Sequence, residues 1–132
     1  MTIAREIINL GLNPALVAAL GGTPANPVAA GTTIANATPI TNSLNVVTGA
    51  DAAKGVALPA VAPGETIEMF NRSASVLLVY PPPSGSIAIT GTGLGTVDAV
   101  YSQEAETHVT FKCLGVFYDT GLRTQWVAIK SE

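Results

Sequence analysis

The sequence predicts a mainly β protein: one small domain, a sandwich or a barrel-like sheet, with an N-terminal arm that contains short helical segments. Three observations carry this. Short apolar runs recur between clusters of Pro, Gly, Asn and Ser at roughly the 8–12-residue spacing of sandwiches and barrels. Two of these runs, Glu65 to Asn71 and His108 to Cys113, alternate apolar with polar residues, the period of a half-buried strand. The length, 132 residues, suits one domain plus an arm and is short for two ordinary domains.

The arm is read over residues 1–40. Thr2 is placed to cap a short helix in which Ile3, Ile7 and Ile8 share a face and Glu6 sits near the positive end. Asn13-Pro14 then reads as a cap and first helical residue, followed by Ala15 to Leu20, with Leu16, Val17 and Leu20 as its apolar members and Gly21-Gly22 as its stop. Helices shorter than about 12 residues are marginal in water, so both pieces need a surface to lean on. From Thr23 to about Thr41, Pro24, Pro27 and Pro39 among small residues predict an extended, linker-like path.

The β-domain is read over residues 41–132. Leu44 to Val47 is a candidate strand; Gly55 to Leu58 is another, ended by Pro59; and Pro63-Gly64 marks a turn. In Glu65 to Asn71, Ile67 and Met69 face one way and Thr66 and Glu68 the other. Val76 to Tyr80 is apolar on both faces, as suits a central strand covered on two sides, and Pro81-Pro82-Pro83 stops it. Ser86 to Thr90 follows, with Ile87 and Ile89 facing together, and then a glycine-rich crossing through Gly91, Gly93 and Gly95. In His108 to Cys113, Val109, Phe111 and Cys113 point inward, so Cys113 reads as a small buried hydrophobe. Asp119-Thr120-Gly121 reads as a hairpin connection into Gln125 to Lys130, where Trp126 and Val127 are the bulky residues.

Charge is scarce. Charged residues make up 11% of the chain, less than half the roughly 25% usual for soluble domains, while apolar residues stand at 48%. With a mean hydropathy of +0.42, such a surface is poorly suited to a free monomer, and part of it is expected to be covered by partners. A net charge of −3, with six scattered basic residues, argues against binding a phosphate backbone. No apolar run reaches the ~20 residues that span a bilayer, no secretory start is visible, and a single cysteine excludes an internal disulfide. These features predict a soluble, unexported protein with no nucleic-acid or membrane partner.

Candidates for chemistry are few. His108, the only histidine, falls on the polar side of its strand, opposite in facing to Cys113, and reads as a satisfied or solvent-facing residue rather than a general base. Glu104, Glu106 and Asp98 read as a solvated acidic loop, because calcium asks for about 6–8 oxygen ligands. Gly91 to Gly95 lacks the spacing of a phosphate-binding loop. Asn36-Ala37-Thr38 and Asn71-Arg72-Ser73 match the glycosylation pattern, which is uninformative without export. Tyr80, Phe117, Tyr118 and Trp126 could form a sugar platform, but core and subunit packing is the preferred reading. No enzyme activity and no cofactor are expected.

Two stretches are familiar together. One is Asn9 to Leu16 with Ala18-Ala19-Leu20, then Gly31-Thr32-Thr33 and Ala35 to Thr38. The other runs from Gly55-Val56-Ala57-Leu58-Pro59 through Pro63-Gly64, Asn71-Arg72, Leu78-Val79-Tyr80-Pro81-Pro82 and Phe111-Lys112-Cys113 to Gln125 to Ile129. This succession resembles small virion structural proteins of tailed phages, in particular capsid decoration (cement) proteins, and also pieces of head fibres and tail proteins. The resemblance implies a module on the capsid exterior, made in the host cytoplasm, assembling as a homotrimer and bound to the major capsid protein. Under that reading Ile3, Ile7, Ile8, Leu16, Val17 and Leu20 dock on the shell or on a subunit. Val76, Leu78, Tyr80, Phe111 and Trp126 are assigned to the core or the subunit interface. The alternative is a head-fibre or tail module that binds a host receptor or glycan.

Overall fold

The computed structural model describes residues 24–61, 63–89, 96–117 and 123–130. Nine strands form over these residues: β1 (Thr38–Pro39), β2 (Leu44–Val47), β3 (Gly55–Ala57), β4 (Thr66–Asn71), β5 (Leu77–Tyr80), β6 (Ser86–Ile89), β7 (Tyr101–Gln103), β8 (His108–Phe117) and β9 (Arg123–Lys130). They make two mixed sheets, one ordered β1-β3-β5-β7 and the other β2-β4-β8-β9-β6. No helix occurs among the described residues. The two helical pieces expected before Thr23 lie outside them.

Alternation decides which side chains meet between the sheets. Val56, Leu77 and Val79 from the first sheet and Val47, Ile67, Met69, Val109, Phe111, Cys113, Trp126 and Ala128 from the second are buried in one apolar cluster. Phe111 lies across from Ile67 on β4 and Ala128 on β9, and its ring takes the edge-to-face approach of Tyr101 at a centroid distance of 5.6 Å. Trp126 is opposite Cys113 on β8 and Ile87 on β6, and its indole Nε1 donates to the Pro59 carbonyl at 3.2 Å. The inward facings expected for Ile67, Met69, Val109, Phe111, Cys113 and Ile87 are all observed.

The second sheet is assembled largely from long-range pairs. β2 pairs with β4 and β6 with β9 in parallel, while β4-β8 and β8-β9 are antiparallel. Cys113 points into the core and Leu114 out of it, as the period of two requires, and just beyond them the register slips between Cys113 and Gly115, which takes φ of +100°. The β8-β9 pairing is the hairpin expected from Asp119-Thr120-Gly121, whose connecting residues lie outside those described.

Residues 24–40, placed with the arm on their proline content, are packed into the domain instead. Ala25 and Val28 bridge to Asn45 and Thr48 along the free edge of β2, and Ala30 bridges to Gly55. Ala29, Ala37 and Ile40 are buried. Proline is compatible with this because it occupies edge positions: Pro39 lies in β1, at the margin of the first sheet, where a missing N–H breaks no ladder.

β5 sorts the apolar run Val76 to Tyr80 onto two sides. Leu77 and Val79 are the fully buried residues, whereas Val76 and Leu78 are half-buried and Leu78 lies on the sheet's outer side. Tyr80 shares that outer side but is buried all the same. Its ring closes over Gly55, where an added Cβ would lie 2.8 Å from Cε2 and 2.5 Å from the Leu78 carbonyl oxygen, and its hydroxyl donates to the Thr32 carbonyl at 2.8 Å. Only glycine leaves room for that ring.

Candidate docking surface

The outer face of the five-stranded sheet can be read row by row from the register. Leu44, Glu68, Thr110 and Ile129 form one row; Val46, Phe70 and His108 form the next; Thr66, Lys112 and Val127 form a third. An outward face of a soluble sheet is ordinarily polar. Here Phe70 is 43% exposed, Ile129 46% and Leu114 43%, with Leu44, Val46 and Val127 half-buried beside them. Exposed apolar residues grouped on one face mark an interaction surface.

His108 belongs to this surface. Its ring stacks on Phe70, with centroids 4.4 Å apart and planes 18° from parallel. Nε2 is shielded from solvent and lies 3.4 Å from Glu68 Oε1, close enough for ionic attraction when the ring is protonated, but in a geometry that makes no hydrogen bond. Cys113 points to the opposite side of the same strand, so the two do not meet. At the end of the face, Phe70, Asn71, Arg72 and Glu106 line an open cleft of about 240 Å³.

The acidic loop is built for shape. Glu104 pairs with Lys130 at 3.0 Å, and Asp98 accepts from the Ser84 backbone N–H at 2.7 Å. Thr107 Oγ1 donates to the Glu104 carbonyl at 2.7 Å, and Glu106 takes φ of +57°. The turn thus sends β8 back alongside β4. Among the described residues, no group of three or more His, Cys, Asp or Glu is placed to hold a metal ion, and no helix is long and apolar enough to cross a membrane.

At the same end, two buried amides join the sheets. Asn71 of β4 donates through Nδ2 to the carbonyls of Ser75 (2.9 Å), Glu104 (3.1 Å) and Gln103 (3.4 Å), while its Oδ1 accepts from Ser73 N at 3.0 Å. Gln103 of β7 donates through Nε2 to Met69 O at 3.0 Å and Thr107 O at 2.9 Å. The Asn71 amide is consequently consumed by the fold, and the pattern Asn71-Arg72-Ser73 offers no acceptor on the folded surface.

The phenol of Tyr101 is held above its ordinary value, first by burial, with the Lys130 charge opposing and Glu104 assisting. The neutral form is therefore favoured in the folded state. Stability from this group is complete below about pH 10 and is lost as pH rises from there through the raised folded value. A Tyr101→Phe variant is expected to lose less stability than the wild type between pH 9 and 11.5 in urea titrations. Identical slopes would exclude Tyr101 as the source.

Of the docking residues expected from sequence, Ile3, Ile7, Ile8, Leu16, Val17 and Leu20 lie outside the described residues. Phe111 and Trp126 are core residues with no exposed surface, Tyr80 is buried over Gly55, and Val76 and Leu78 are half-buried on the four-stranded sheet. As for the sugar platform, Tyr80 and Trp126 are buried, and Tyr118 and the Phe117 side chain lie outside what the structure describes. Phe70, Leu114 and Ile129 were missed; Phe70 and Leu114 have a sequence signal, an apolar residue on the polar side of an alternating strand, whereas the run around Ile129 does not alternate. Compared with known proteins, the chain matches no family model, no curated protein and no solved structure.

Proposed function

We propose that this chain is a structural virion module, a decoration protein on the exterior of a tailed-phage capsid that binds the major capsid protein and stabilises the shell as an oligomer, a homotrimer. In this reading the two sheets are the halves of a β-sandwich, preceded by an arm of short helices. The observation that carries the proposal is the exposed apolar face around Phe70, Leu114 and Ile129 on a chain with only 11% charged residues. An exposed apolar face of this kind marks a surface for contact with other protein. The protein acts by contact, without catalysis, cofactor, nucleic acid or membrane, and it reaches the virion from the host cytoplasm.

Ile3, Ile7, Ile8, Leu16, Val17 and Leu20 dock on the shell in this scheme, and each fully buried Ile or Leu contributes about 1.5–3 kcal/mol, repeated over many copies. Deleting residues 1–22 is expected to leave the β circular-dichroism spectrum intact and to abolish co-sedimentation with empty capsids. Undiminished capsid binding by the truncated protein would remove the arm from the mechanism.

A second reading is a head-fibre or tail module for a receptor or glycan. The cleft beside Phe70, with Arg72 and Glu106 on its walls, favours it, since an exposed aromatic ring with polar neighbours suits a sugar. Binding of purified protein to host polysaccharide in preference to capsids, lost in Phe70→Ala, would select this reading.

A further inference from the structure

The open part of the five-stranded sheet's outer face is complementary to itself. We propose that it is a two-fold interface between two copies of this chain, in which Glu68 of each copy meets Lys112 of the other. A two-fold contact cannot close a ring of three, so this pairing is distinct from the proposed homotrimer and holds whether or not the protein binds a shell.

Ser86, Ala88 and Gln125, outward residues of β6 and β9, are buried, so the open face comprises β2, β4, β8 and the outward Val127 and Ile129 of β9. Within it an anion and a cation stand on neighbouring strands. Glu68 lies across from Thr110 and Lys112 across from Thr66. Lys112 is therefore one strand over and two residues along from Glu68, about 8 Å away for strands about 4.8 Å apart and residues about 3.4 Å apart. Lys112 is exposed, and among the described residues no carboxylate lies within ion-pair distance of it. The Glu68 side chain, 42% exposed, has His108 as its ionic neighbour within the chain and is open on its outer side.

A two-fold axis in the plane of the face, midway between these two side chains and perpendicular to the line joining them, exchanges their positions. Two identical ion pairs form at once. On a flat lattice of the same spacings, that axis also fixes where the apolar residues fall. Phe70 comes over Val127 of the other copy, Leu44 over Leu114, and Ile129 over Ile129, each within about 3 Å in projection. Exposed apolar residues thus meet one another while the charges meet their opposites. The strands of the two copies cross at roughly 70°, near the orthogonal class of sheet packing at about 90°. A partner surface of one charge sign would set either Glu68 or Lys112 against its like, whereas a second copy satisfies both. Four strands by about five residues give a footprint of roughly 320 Å². That is below the ~800 Å² per partner of a standard contact, which makes the pair weak and reversible.

Sedimentation equilibrium of the full chain from about 1 µM to about 1 mM tests this. Pairing is read as a doubling of the mass of the species present at the lowest concentration, whether that species is one chain or three. The wild type is expected to double. Glu68→Lys alone and Lys112→Glu alone are each expected to weaken pairing at least tenfold, because both contacts then join like charges. An equimolar mixture of the two variants is expected to recover it to within threefold of the wild type, because each supplies the charge the other lacks. No doubling in the wild type, single variants that pair as well as the wild type, or a mixture that pairs no better than its components would each overturn the proposal. Ile129→Lys leaves the ion pairs intact and brings two cations together near the axis; it is expected to weaken pairing at least tenfold, and unchanged pairing counts against the two-fold arrangement. Circular dichroism matching the wild type establishes that each variant is folded. Capsid co-sedimentation is measured separately, so failure of the virion reading and failure of this one are distinct.

Discussion

Replacing Trp126 with alanine is expected to destabilise the domain by about 3–5 kcal/mol, the range for removing a buried tryptophan or phenylalanine. The side chain has no exposed surface, and its neighbours across the strands, Cys113 and Ile87, are held by the β8-β9 and β6-β9 ladders and cannot collapse into the space. The Pro59 carbonyl also loses its donor. Against a total stability of about 5–15 kcal/mol, this removes a large share of what holds the protein folded. Trp126→Phe separates the two contributions, since it keeps most of the volume and loses the hydrogen bond, typically about 1 kcal/mol. Trp126 is the only tryptophan, so unfolding must be followed by circular dichroism rather than indole fluorescence. A loss below about 1.5 kcal/mol for the alanine variant would show that the two sheets do not depend on this residue.

Asn71→Ala is expected to cost about 3 kcal/mol, because it strands buried carbonyls instead of leaving an apolar gap. The amide serves Ser75, Gln103 and Glu104, and its oxygen holds Ser73 N, so one truncation loosens the end of β4, the loop after it and the approach to β8. Gln103 reaches back to Met69 across the sheets, and the two residues therefore act as one network. In a double-mutant cycle, Asn71→Ala and Gln103→Ala are expected to be non-additive by 0.5 kcal/mol or more, the usual range for groups sharing partners being about 0.5–3 kcal/mol. Strict additivity would mean that the two amides support the sheets independently.

These two positions differ in how visible they are beforehand. Trp126 is the largest residue of a strand-like run, and its burial follows from its size and the scarcity of aromatics in the chain. Asn71 has no such signal. It stands at the end of an alternating strand, within a match to a glycosylation pattern, and nothing near it in sequence discloses that Gln103 and Glu104, 32 and 33 residues away, present their carbonyls to it.

Alternation made β4 and β8 legible, down to which residues face the core, because a strand's side chains obey a strict period of two. The same rule failed at Val76 to Tyr80, where every residue is apolar and the period carries no information. There the packing of Tyr80 over Gly55 set the outer face, and Leu77 and Val79 were left to the core. For a related reason the prolines of residues 24–40 disclose an extended path but not the strand edges it bridges to. Prolines look like a linker locally, whereas an edge strand tolerates them, and edge position is a property of the whole sheet.

What the amino-acid sequence determined by itself is therefore local: the β character, the turns, the inward residues of the alternating strands, and a charge content too low for a fully exposed surface. The pairing of distant segments was decided only in three dimensions. The parallel contacts β1-β3, β2-β4, β3-β5 and β6-β9 join strands with no hairpin between them, and the row that places Phe70 beside His108 exists only through the β4-β8 register. The physical reason is that side-chain period and turn propensity act over a few residues. A sheet face is the sum of several strands whose order depends on the burial of all of them together.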